Sequence, residues 1–197
     1  MRSLPRQLVL ASTSRYRREL LERLGVPFEC ADPGTNETPL PDEKPSATAL
    51  RLAGAKARAV SLRFPDALVV GSDQVASCAG LRLDKPGNHA NAVRQLTAMS
   101  GKTANFDTAV VVLDTKTGHL GSKVVACRVT FRVLTAAQIE TYLRVEQPYD
   151  CAGSAKVEGL GITLIEKVDT DDPTSLIGLP LIALTELLAA AGAAVLG

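Results

Sequence analysis

The chain has 197 residues, 46% of them hydrophobic and 22% charged, with a formal net charge of +1. That balance excludes a disordered chain and supplies no global field for nucleic acid or an anionic membrane, so any anion site must be local. Four scattered cysteines and two histidines, with no CxxC pair or Cys/His cluster, argue against a zinc site and a disulfide framework and fit a reducing, cytoplasmic setting.

In chain order, Leu8-Val9-Leu10-Ala11 is a short apolar run suited to a buried strand. Ser12-Thr13-Ser14 follow. A helix pattern then runs from about Arg15, with Leu20, Leu21 and Leu24 on one face and Gly25 as its stop. A strand, a hydroxyl-rich turn and a helix start carrying Arg15, Arg17 and Arg18 make an anion site, because helix-terminal amides and guanidinium groups suit phosphate. Capping preference alone also favours Ser and Thr here. Residues Arg18 to Val26 resemble half of a Nudix box, but the motif's remaining positions fall on Leu4, Leu10 and Arg23. Leucine and arginine hold no metal, so that reading is rejected. The N-terminus shows no long apolar core or cleavage site of a secretory signal.

Val26 to Cys30 predicts a strand, and a loop containing Thr35-Asn36-Glu37-Thr38 follows. Residues 46–63 predict a helix ended by Pro65. Ala67-Leu68-Val69-Val70 predicts a short strand buried on both faces, running directly into Gly71-Ser72-Asp73-Gln74. A carboxylate just beyond a buried strand is where open α/β sheets place their chemistry. Arg82 to Pro86 reads as a turn carrying Lys85, and Asn88 to Met99 as a helix stopped by Gly101. Residues 103–113 and 121–133 predict a hairpin with alternating faces. Thr135 caps a helix to about Val145, 151–159 is a glycine-rich loop, and Gly161 to Ile165 predicts a further strand. Residues 176–197 are almost wholly apolar and long enough to span a bilayer. Glu186 would sit mid-span and Gly178 and Pro180 break the first turns, so a buried helix from near Pro180 is the expectation.

His89 and His119 are expected to be exposed and inert, and no Ser-His-Asp set, P-loop or GxGxxG occurs. What remains is carboxylates and cations: Asp73 and Glu37 against Lys56, Lys85, Lys156 and the arginines at 15–18. Carboxylates without histidine or thiolate partners favour magnesium or manganese, and cations beside such an ion favour a phosphorylated substrate. Any one of these acids, taken singly, is more often a solvated loop residue.

Ala11-Ser12-Thr13-Ser14 with Arg17 and Arg18 resembles the N-terminal signature of the Maf family of nucleoside triphosphate pyrophosphatases. Further matches follow in that family's order: Glu37, Lys56 in Ala-Lys-Ala, Gly71-Ser72-Asp73-Gln74, Lys85-Pro86, Ser100-Gly101, and Cys151-Ala152-Gly153-Ser154 with Glu158-Gly159. The ordered set covers nearly the whole chain. Asn36, Asp84 and Asp107 depart from the usual aspartate, glycine and aromatic, and the first two departures bear on the metal and the lysine loop.

The resemblance implies one domain over residues 1–197. It would be an elongated, two-lobed α/β fold around a mixed twisted sheet with a nucleotide cleft, like that of the inosine triphosphate pyrophosphatases. It implies hydrolysis of a nucleoside triphosphate to its monophosphate and pyrophosphate. Asp73 would be the proton acceptor, Glu37 and Asp73 the holders of Mg or Mn, and Ser12, Ser14, Arg17, Lys56 and Lys85 the substrate-binding residues. Tyr16, Gln74 and Glu158 resemble the branch acting on 7-methyl-GTP. The N7-methylated ring is cationic, so a tyrosine face and a carboxylate would both attract it. The alternatives are a broader or pyrimidine-preferring pyrophosphatase and a non-catalytic nucleotide-binding regulator of septum formation. The expected partner is a small nucleotide, with no membrane; nucleic acid is disfavoured, and a homodimer is left open.

Overall fold

Residues 4–196 are described here in a computed structural model. Strands and helices alternate along the first half of the chain: β1 (Gln7–Leu10), α1 (Arg15–Glu22), β2 (Glu29–Cys30), α2 (Pro45–Ser61), β3 (Ala67–Cys78), β4 (Leu81–Leu83) and α3 (His89–Met99). The long hairpin strands β5 (Thr103–Asp114) and β6 (Leu120–Phe131) come next, then α4 (Ala136–Glu146), β7 (Ile165–Thr170) and α5 (Leu181–Ala190). The result is an α/β fold around a mixed, open sheet in the order β2-β1-β3-β5-β6-β7, with β4 paired to β3. β1 pairs parallel with β2 and β3; β3–β4 and β6–β7 are antiparallel.

The chain divides into two compact units. The first comprises Met1–Asp73, Thr108–Val125 and Asp172–Gly197; the second comprises Gln74–Asp107 and Ala126–Asp171. β3, β5 and β6 each contribute residues to both.

In the first unit the apolar runs of β1 and β3 pack with Leu20 and Leu21 of α1 and Leu184 and Leu188 of α5 in one core. Asp172 anchors the C-terminal segment. Its Oδ1 accepts from the Thr174 hydroxyl at 2.7 Å, and its Oδ2 accepts from the Ile182 amide at 2.8 Å, at the start of α5. A carboxylate at a helix N-terminus is stabilised by unpaired amides and the helix dipole. α5 has ten residues, and no helix among the described residues is long and apolar enough to cross a membrane.

Several sequence expectations need correction. β3 does not stop at Val70 but continues to Cys78, so Asp73 lies within a strand rather than in a loop beyond one. Gly71, expected just past the end of the strand, lies within it. It lets the strand approach α2: a Cβ there would lie 2.2 Å from the Ala53 carbonyl oxygen. Of Val26–Cys30, only Glu29 and Cys30 pair, against Val9 and Leu10; Pro27 has no amide to give. Strand β4 occupies part of the expected turn at 82–86. Strict alternation fails in β5, where Thr108 to Leu113 are all buried. Residues Leu160–Leu164 form a 3-10 turn instead of a strand, entered through a turn in which the Gly161 amide donates to the Lys156 carbonyl at 3.0 Å. Pairing begins only at Ile165, opposite Phe131.

The close approach at Gly71 gives a stability prediction. Gly71→Ala forces β3 and α2 apart and will destabilise the protein by roughly 1–3 kcal/mol or more, the usual range for overpacking. A thermal melt within a degree of wild type would show that α2 yields without cost.

Candidate functional site

The first unit gathers its charged groups around Lys56. The buried residues of α2 recur at Ala49, Leu52, Ala53, Lys56, Ala57 and Val60, one helical face, and Lys56 stands in the middle of it with 4% exposure. An ammonium there needs partners. It has two: Lys56 Nζ donates to Asp73 Oδ1 at 2.7 Å and pairs with Glu37 Oε1 at 2.6 Å. Asp73 is 5% exposed, held within the apolar strand β3. Glu37 is an exposed loop residue. The sequence therefore brings two acids and one cation, 17 or more positions apart, onto a single nitrogen.

Arg17 belongs to the same group. Burial lowers its pKa from the ordinary arginine value, while the charges of Asp73 and Glu37 oppose that shift. Its Nε donates to the Gly178 carbonyl at 2.9 Å. The Ser72 hydroxyl lies 3.0 Å from that same carbonyl and 2.8 Å from Ala109 O, its one proton shared between them. Arg17 is thus held by the segment ahead of α5.

The serines shape the start of α1. Ser14 is its N-cap, accepting from the Arg17 amide at 3.5 Å, and the Ser14 amide donates to Ser12 Oγ at 3.1 Å. No acid stands in the first turn; Arg15, Arg17 and Arg18 do. Three cations at the positive end of a helix dipole repel it, and a bound anion relieves that repulsion. Tyr16 is half-buried, and the Arg15 guanidinium carbon lies 4.7 Å from its ring centroid. The ring already attracts one cation.

Two residues here escaped the sequence reading. Arg51 Nε and Nη2 donate to Glu43 Oε1 and Oε2, each at 2.7 Å, and Nη2 also reaches the Thr38 carbonyl at 3.3 Å. The Arg51 pair, chiefly, brings the Glu43 carboxyl down to about 2. This fork fastens the loop carrying Glu37 to α2. An acid in a loop and an arginine eight positions later carry no local signal. Asn36, a departure from the family pattern, accepts from the Thr38 amide at 2.9 Å and shapes that loop.

Gln74, Lys85 and Glu158 belong to the second unit. Gln74 follows Asp73 on β3 and is half-buried; Lys85 and Glu158 are exposed. Lys156 pairs with Glu146 at 2.6 Å. His89 is not a bare surface residue. Its Nδ1 lies 3.0 Å from the Tyr149 hydroxyl and its Nε2 2.9 Å from Glu140 Oε2. Those partners lie on distant parts of the chain, which local reading cannot see.

Asp73 and Glu37 are hard oxygen donors, the type that divalent cations such as magnesium take. No group of three or more His, Cys, Asp or Glu side chains that could hold a metal occurs among the described residues. Asp73 and Glu37 do converge on one cationic nitrogen. Magnesium commonly binds one or two carboxylates and takes its other ligands from phosphate and water.

Residues 7–191 match the family model described as Maf-like protein. The chain is 60% identical over 189 residues to a protein of Polaromonas sp., covering 96% of this chain and 86% of that one. It is 58% identical over 191 residues to a protein of Burkholderia pseudomallei, covering 95% and 89%. With a protein of Cupriavidus pinatubonensis it shares 57% identity over 189 residues, covering 96% and 94%. Each of these relatives is named 7-methyl-GTP pyrophosphatase. On the extent of the family match and of these identities, the chain belongs to the Maf family.

Proposed function

We propose that this protein hydrolyses 7-methyl-GTP to 7-methyl-GMP and pyrophosphate. The observation that carries the reading is the buried Lys56 holding Asp73 and Glu37, with Arg17 in electrostatic reach of both acids. The names of relatives 57–60% identical over nearly the full length supply the substrate. Water attacks the α-phosphorus, and pyrophosphate leaves. Asp73 takes the proton of that water on its carboxylate. Arg17 and Lys56 hold the triphosphate, and the turn from Ser12 to Ser14 sets the amides of α1 toward it. Asp73 and Glu37 would hold a divalent cation, which when bound neutralises charge on the phosphates.

Pyrophosphate release from 7-methyl-GTP, GTP, dTTP and UTP, with magnesium and with excess EDTA, tests this reading. The expected result is preference for 7-methyl-GTP, pyrophosphate as product, and no turnover in EDTA. Orthophosphate as product, full activity in EDTA, or a pyrimidine preference overturns the corresponding part, and no turnover of any nucleotide leaves a binding protein.

Selectivity rests on the ring charge. Tyr16 offers a face that Arg15 already stacks on, so a cationic purine uses the opposite face or displaces that arginine. A tyrosine contact contributes ~0.5–2 kcal/mol, which is about 2- to 30-fold in kcat/KM. Tyr16→Ala and Glu158→Gln will each erode the ratio of 7-methyl-GTP to GTP activity while sparing GTP turnover. If both variants keep the wild-type ratio in a steady-state assay, neither residue reads the base.

A further inference from the structure

In the second unit, Lys85 and Glu158 stand on different segments, 84–88 and 151–161, and one side chain touches both segments. Gln95, half-buried on α3, donates from Nε2 to the Asp84 carbonyl at 2.8 Å, directly before Lys85. Its Oε1 accepts from the Ser154 hydroxyl at 2.5 Å. The orientation of the amide is determined by its partners: a carbonyl can only accept, so the nitrogen must face Asp84 and the oxygen Ser154.

Both segments are built to pass on that restraint. On the lysine side, Asn91 Nδ2 donates to the Pro86 carbonyl at 2.8 Å, and the Gly87 amide donates to the Tyr149 carbonyl at 3.0 Å. On the other side, Ser154 is fully buried with φ +57°, a left-handed backbone that a non-glycine residue keeps only when its surroundings hold it. The Tyr142 hydroxyl donates to the Ser154 carbonyl at 3.1 Å and accepts from the Lys156 amide at 2.9 Å. Glu146 closes the turn, with Oε1 on Lys156 Nζ at 2.6 Å and Oε2 on the Leu160 amide at 2.7 Å. Gly159 packs so tightly on Glu146 that a Cβ would lie 2.6 Å from its Oε2. Glu158 therefore projects from a turn gripped at both ends.

We propose that Gln95 is a positioning residue that locks the lysine segment to the Glu158 turn. One amide thereby sets the grip on the triphosphate and the reading of the base together. This rests on the assignment of Lys85 and Glu158 as substrate-binding residues.

Three variants of the full chain separate the two halves of the link. Gln95→Leu removes both bonds. Gln95→Glu keeps an acceptor for Ser154 but loses the donor to Asp84. Ser154→Gly removes the hydroxyl while accepting the left-handed backbone. Gln95→Leu is expected to raise KM for 7-methyl-GTP about tenfold with kcat changed by less than about threefold, the pattern of lost ground-state binding. It will also lower the 7-methyl-GTP to GTP ratio. Gln95→Glu will raise KM for both nucleotides alike with the ratio kept; Ser154→Gly will lower the ratio with KM for GTP kept. A Gln95→Leu protein that melts like wild type and keeps both KM and ratio within about twofold overturns the link.

Amide hydrogen exchange on the substrate-free protein reads the link without a substrate. Gln95→Leu should speed exchange in both 84–87 and 151–161, and protection unchanged in either segment overturns the proposal. Wild-type protein inactive on 7-methyl-GTP would instead remove the functional reading and leave the exchange result to decide on Gln95.

Discussion

Asp73→Asn will yield a folded protein whose turnover is lower by about 10²- to 10⁴-fold, the usual cost of losing a general base. The substitution is isosteric at a position 5% exposed, and the amide oxygen can still accept from Lys56 Nζ in place of Oδ1. Lys56 keeps Glu37 as its anionic partner. The neighbouring β3 residues are buried and apolar from Ala67 to Val70, so their packing does not depend on the lost charge. What disappears is a group able to take a proton from water. Steady-state pyrophosphate release, read beside a thermal melt, separates the two effects. Near wild-type turnover would remove Asp73 from the chemistry. A large fall in melting temperature would make it a structural residue.

Lys56→Met will lose both stability and substrate affinity. Methionine matches the apolar stem on α2 but leaves Asp73 as a buried carboxylate without its ammonium. Removing one partner of a buried pair typically costs ~3–5 kcal/mol. For a chain of this size that is about 6–20 °C in melting temperature. Glu37 is not orphaned by this change, because its side chain is 57% exposed and water can solvate it. Loss of a triphosphate contact should raise KM as well. The Lys56→Met, Asp73→Asn double variant checks the cause, since it removes the orphaned charge and should melt above Lys56→Met alone. A double variant that melts lower would show that the carboxylate does not depend on the ammonium. A stability loss with KM unchanged would confine Lys56 to the fold.

The chain's own letters located most helices, because helix signals are local. Ser14, Asn88 and Thr135 cap α1, α3 and α4 through hydroxyl or amide oxygens acting three residues ahead, and Thr135 forms a full capping box with Gln138. Gly25 marks the exit from α1 by its own backbone limits. The ordered motif set identified the family by the same short-range reading.

Strand ends and partnerships were not legible in this way, because they depend on residues far along the chain. Gly71 reads as a break in isolation; only the approach of α2 shows why a glycine continues a strand there. Gly161 to Ile165 has the apolar content of a strand, yet the Lys156 carbonyl draws the Gly161 amide into a turn. The identities of Asp73, Lys56 and Glu37 were visible as candidate chemistry, but not their meeting on one nitrogen. Arg51 with Glu43, and Gln95 between two segments, carried no pattern at all. Composition and spacing thus determined the helices and the kinds of residue available, and the ordered motifs carried the resemblance to the family. Tertiary packing decided which charges are buried and what each one touches, since burial makes the partner of a charge a condition of folding.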